Sequence, residues 1–106
     1  MPVLTVYVTC ASKKEAETIA ETVVKERLAA CANLFPVQSM YSWKNKPVKK
    51  KEWALLLKTT DACYPSLERR IKRLHSYDLP CIVAWKDEKG DAAYAAWVRK
   101  SVHSVA

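Results

Sequence analysis

The sequence predicts an α+β sandwich: one four-stranded antiparallel sheet, two crossover helices and a further helix at the end. Three observations lead there. Four runs rich in β-branched and aromatic residues are interleaved with two segments of helical apolar spacing, in the order β-α-β-β-α-β. Only a short turn separates the two middle runs, so they form a long hairpin. The chain has 106 residues, half of them apolar and one a glycine, which suits a single domain over residues 1–106 with a modest core. Two βαβ crossovers meeting in one antiparallel sheet make the arrangement ferredoxin-like.

The first strand is PVLTVYVTC, Pro2–Cys10, where Thr5, Tyr7 and Thr9 alternate with Leu4, Val6 and Val8. Ser12 and Glu15 then stand at capping-box spacing, which satisfies two backbone donors of a starting helix. Ala16, Ile19, Ala20, Val23 and Leu28 continue on one apolar face, with Val24 beside them, and give a helix of about four turns. It ends in RLAACANL, without a glycine cap. Cys31–Trp43 is the second strand, and Pro36 inside it marks a bulge or an edge position. Asn45–Pro47 reads as a turn. Lys50–Thr60 reads as a strand whose continuous apolar middle asks for cover on both faces. Pro65 suits a first helical turn, and Tyr64, Leu67, Ile71 and Leu74 keep one stripe as far as His75. Cys81–Trp85 is the fourth strand. Asp91 caps a short amphipathic terminal helix carrying Tyr94, Ala95, Trp97, Val98 and Val102. The two main helices cover one sheet face. Tyr41, Trp43, Trp53 and Trp85 are costly to leave in water, so a second subunit is expected over the other face.

Composition excludes several function classes. The formal charge of +7 is local: Lys44, Lys46, Lys49, Lys50 and Lys51 crowd into eight residues, and without them it falls to +2. The longest apolar runs, such as WALLL, fall far short of a membrane span. No basic segment precedes the first apolar stretch, so a cytoplasmic, soluble protein is expected. One glycine leaves no phosphate-cradling loop. With His75 and His103 the only histidines, no Ser–His–acid order stands out, and no enzymatic activity is expected. Cys10, Cys31, Cys63 and Cys81 show no zinc-knuckle spacing and are expected to be thiols. Cys31 is expected in buried packing between helix and strand, and Cys63 in the loop before the second helix.

The ordered set YVTC, ERLAACANL, Tyr41 with Trp43, KTT, H-x-Y-x-x-P and AWV runs from Tyr7 to Val102. Taken together, it resembles the CutA family of divalent-cation tolerance proteins. The resemblance implies a tight homotrimer of ferredoxin-like subunits joined through hairpins and sheet edges. It also implies binding of copper or another divalent metal ion, a role in metal homeostasis, and a ligand role for Cys10 near the first strand. This chain departs from the family pattern at Ser76 (usually Pro), Cys81 (usually Glu), Asn45 (usually Gly) and the Lys49–Lys50 region (usually acidic). A cysteine at position 81 in place of a carboxylate shifts that position toward softer metals.

The stretch HSYDLPC, His75–Cys81, supports two readings. In one, His75 ends a helix where an imidazolium meets the dipole, Asp78 bonds loop amides and Pro80 stops the helix. In the other, His75 and Cys81 are metal ligands, with Cys10 as a third, suited to copper or zinc. Tyr41, Trp43, Lys58 and Tyr77 can line a cleft between subunits, with Lys58 facing an anionic ligand, or can simply pack an interface. The lysine tip, Lys44–Lys51, is a solvated loop that keeps an edge from pairing, or a weak nucleic-acid contact with Trp43 and Trp53 as stacking partners. Metal tolerance by a copper-type metal binder is the leading expectation. Its rivals are a trimeric small-ligand signalling module like the PII proteins and, less favoured, a nucleic-acid binder.

Overall fold

Strand pairing decides which face each residue serves. The computed structural model describes residues 2–103. In chain order the elements are β1 (Val3–Cys10), α1 (Lys13–Lys25), β2 (Cys31–Trp43), β3 (Lys46–Thr60), α2 (Tyr64–Leu74), β4 (Ile82–Lys86) and α3 (Ala92–Ser101). The strands form one antiparallel sheet in the order β2-β3-β1-β4. The expected α+β, βαββαβ arrangement with a terminal helix is therefore the observed one.

Directly opposed residues of antiparallel strands share a face. One face carries Val6, Val8 and Cys10 of β1 with Leu55 and Leu57 of β3, packed against Ala16, Ile19, Ala20 and Val23 of α1 and Leu67 and Ile71 of α2. All of these are buried. On the other face the pairs are Thr5 with Lys58 and Trp85, Tyr7 with Leu56 and Val83, and Tyr41 with Val48. At one end of this second face α3 packs on β3 and β1, with the Tyr94 hydroxyl 3.4 Å from Cys31 Sγ. No other described residue covers the rest, and Trp43, Trp85 and Val83 are 50%, 48% and 52% exposed. Trp53 departs from expectation. Its register with Cys10 and Pro36 turns it to the helix side, where it is partly buried with the Lys13 ammonium over its ring.

Pro36 sits in an edge strand, where its missing N–H costs no ladder bond, and the one-for-one register shows no bulge. The hairpin turn also departs from expectation. Trp43 pairs with Lys46, so the loop is only Lys44 and Asn45, and Pro47 belongs to β3. Both loop residues adopt positive φ, 52° and 64°, as a tight hairpin with right-handed twist requires. Helix caps follow the sequence more closely. Ser12 Oγ accepts from Glu15 N–H, and Asp91 Oδ2 accepts from Tyr94 N–H. Helix α1 stops before Leu28: Arg27 turns left-handed at φ 59°, while Arg27 and Leu28 N–H bond back to Val24 and Val23 carbonyls. An arginine thus stands where glycine is usual.

Candidate functional site

Residues expected to act together fall into two neighbouring groups on either side of the segment that follows α2. Toward the helix side lie Cys10, Glu15 and His75, whose ligand atoms are all within 4.8 Å of one another. His75 is the C-cap of α2 and is buried. Its Nε2 bonds to the Thr9 carbonyl at 2.7 Å, and its Nδ1 accepts the Tyr77 N–H at 3.1 Å. An Nδ1 that accepts carries no proton, so the ring is the neutral Nε2–H tautomer, and the imidazolium expected at the helix end is not what this geometry holds. Glu15 accepts Ala11 N–H at 2.9 Å with one oxygen and Ser76 N–H at 2.9 Å with the other. Burial raises the carboxyl pKa, but the hydrogen bonds from Ser76 and Ala11 outweigh it and leave it below its usual value. The Cys10 thiol is fully buried, and burial together with the charges of Glu15 and Glu52 pushes its pKa up to about 12.

Thiol, imidazole and carboxylate are all metal-ligating donor types, but here the imidazole and the carboxylate are already committed to other partners. Both imidazole nitrogens are engaged, the Cys10 side chain is fully buried, and both carboxylate oxygens already serve backbone donors. As folded, the three residues do not fit a metal ion.

On the uncovered sheet face a cleft of about 710 Å³ opens between the hairpin and the loop before β4. Tyr7, Tyr41, Trp43 and Tyr77 supply its aromatic walls, and Cys81 lies at its rim with an exposed thiol. Glu52 is a buried carboxylate within it, 5% exposed, accepting the Tyr77 hydroxyl at 2.7 Å. The Lys50 ammonium stands 4.4 Å from the centre of the Tyr77 ring. Burial raises the Tyr77 pKa and Lys50 opposes it; the phenol stays a donor at neutral pH.

Over residues 4–101 the sequence matches the family described as CutA1 divalent ion tolerance protein. The chain belongs to the CutA1 family. It is 42% identical over 97 residues to the divalent-cation tolerance protein CutA of Thermus thermophilus, covering 91% of this chain and 94% of that protein. It is 38% identical over 100 residues to human Protein CutA, covering 93% of this chain but only 56% of the human protein. Among solved structures, the Thermus thermophilus protein superposes with a TM-score of 0.93 at 40% identity, over 95% of this chain and 99% of that one. The rice CutA1 crystal structure gives a TM-score of 0.96 at 31% identity, over 99% and 97% of the two chains. The family is named for tolerance of divalent ions, not for a reaction.

In this CutA1-family chain the predicted site residues are regrouped. His75 meets Cys10, from the far end of β1, and Glu15; Cys81 is not part of that cluster. Tyr41, Trp43 and Tyr77 do meet in one cleft, and Cys81 joins them. Lys58 does not line it. Its ammonium bonds Thr5 Oγ1 and, at 2.9 Å, Asp87 Oδ2. Burial raises the Asp87 pKa, yet the Thr5 hydroxyl and the Lys58 charge together hold it below its usual value. Lys50 is the cation at the cleft instead. Glu15, Lys50 and Glu52 went unmarked as site residues. Glu52 did leave a trace, as the lone acid between a lysine run and the apolar run WALLL. Glu15 left none, since its capping position accounts for it locally.

Proposed function

We propose that the protein is a non-catalytic, homotrimeric divalent-metal tolerance protein that takes copper or another soft or borderline ion weakly at the Cys81 side of its cleft. One observation carries the reading: an exposed thiol borders an aromatic cleft on a sheet face that a single chain leaves open. Cys81 offers the accessible soft donor, with the Glu52 and Asp78 carboxylates lining the same cleft. Family membership supports the metal-tolerance role. The exposed row of Trp43, Tyr41, Val83 and Trp85 supports the trimer, because a face this apolar is covered in a stable protein. Four free thiols suit a reducing compartment, and on that ground we assign the protein to the cytoplasm.

The test is a titration of the reduced protein with Cu(I), parent against Cys81→Ser. We expect binding to weaken at least tenfold, since a thiolate is exchanged for a hydroxyl. Equal affinity in both proteins contradicts a Cys81 site. A small-ligand module of the PII type is the second reading, favoured by the cleft volume and by the Lys50–Tyr77–Glu52 arrangement within it.

A further inference from the structure

We infer that Cys10, Glu15 and His75 form a closed clasp that joins three chain segments in the folded protein and holds no metal there, and that the clasp sets Tyr77 in its place in the cleft. Four hydrogen bonds make the closure. Glu15, in the first turn of α1, ties the end of β1 through Ala11 N–H and the segment after α2 through Ser76 N–H. His75 returns the link, from Nε2–H to the Thr9 carbonyl and from Tyr77 N–H to Nδ1. The circuit therefore passes from β1 to α1, to the α2 end, and back to β1. Cys10 fills its interior as a fully buried side chain.

A metal ion bound by these residues has to undo that circuit. Coordination through Nδ1 takes the acceptor away from Tyr77 N–H, and coordination through Nε2 takes the donor away from Thr9 O. Either leaves a backbone group without its partner. Ligation by Sγ further requires the thiol proton to be displaced at a fully buried position. The donor types and spacing resemble a metal centre because the residues that close a polar circuit are also residues that ligate.

The clasp has a consequence on the cleft side. Tyr77 follows His75 by two residues, its ring lies 4.8 Å from the imidazole, and its hydroxyl reaches Glu52. Holding Ser76 and Tyr77 by their amides fixes where that ring stands, and hence where Lys50 stacks on it.

Amide exchange and metal stoichiometry on the 106-residue chain test this together. In the parent, saturating Zn(II) or Cu(I), each added alone, leaves exchange at Ala11, Ser76 and Tyr77 unchanged. In Glu15→Gln, which can serve only one of the two amides as acceptor, exchange at Ala11 or at Ser76 accelerates about tenfold or more while core strand amides stay protected. Cys10→Ala binds as many metal ions per chain as the parent, including none if the parent binds none. Loss of one ion per chain in folded Cys10→Ala overturns the inference. So does deprotection of Ser76 and Tyr77 in the parent on adding either metal, or unchanged exchange in Glu15→Gln. A loss confined to Cys81→Ser bears on the cleft thiol and leaves the clasp standing.

Discussion

At Arg27 one side chain serves two helices. Its backbone ends α1 in the left-handed region, and its guanidinium donates to the Lys100 and Ser101 carbonyls at the end of α3. The His103 N–H bonds back to the Arg27 carbonyl. Glycine suits the backbone better and arginine suits α3 better, so two substitutions separate the terms. Arg27→Ala loses the bonds and keeps the strain, whereas Arg27→Gly loses the bonds and relieves it. Denaturant unfolding at one fixed protein concentration is expected to rank Arg27→Ala below Arg27→Gly by about 1 kcal/mol; the reverse order refutes the strain. Glu15 gives a pH prediction. Its folded pKa lies below the unfolded value of 4.5, so its contribution is fully present above pH 4.5 and is lost as pH falls through the depressed value. Thermal melts from pH 6 downward are expected to show a steeper acid loss in the parent than in Glu15→Gln, and parallel curves contradict it. At this scale the site was only half legible. His75 and Cys81 are neighbours in the chain and were paired for that reason. His75 instead bonds the Thr9 carbonyl and comes within 4.8 Å of Cys10 and Glu15, which depends on how the end of α2 meets the end of β1, and no local pattern encodes that.

Among the elements, order and type were legible because caps and periodicities agree with the fold: Ser12 and Asp91 start their helices, Pro65 lies in the first turn of α2, and Pro36 lies on an edge. The hairpin turn was misplaced by its chemistry. A two-residue loop with both φ positive is usually announced by Asn-Gly, and here Lys44-Asn45 adopts it without glycine, while Pro47 mimics a turn signal from inside β3. Asn45→Gly is therefore expected to raise stability by about 0.5 kcal/mol in the same unfolding measurement, and destabilisation contradicts the assigned turn. The lysines around the tip flank exposed Trp43 and Met40, an arrangement that discourages edge pairing. No salt-sensitive binding to a mixed oligonucleotide pool is expected from it. A steep fall of affinity with salt instead revives the nucleic-acid reading.

For the molecule as a whole, the two sheet faces are unequal. Two helices bury one face completely at its centre, while α3 covers only part of the other. Trp43, Trp85 and Val83 remain about half exposed, and covering each large aromatic is worth about 2 kcal/mol. The cleft that carries Cys81, Glu52 and Tyr77 opens onto this same face, so a subunit covering the face would also govern access to the cleft. An added charge at Trp85→Lys is expected to split the assembly while the monomer core, on the opposite face, stays folded by circular dichroism. The most direct measurement is the mass of the parent protein in solution at micromolar concentration, by sedimentation or light scattering. The account predicts the mass of three chains, and a stable folded monomer contradicts it.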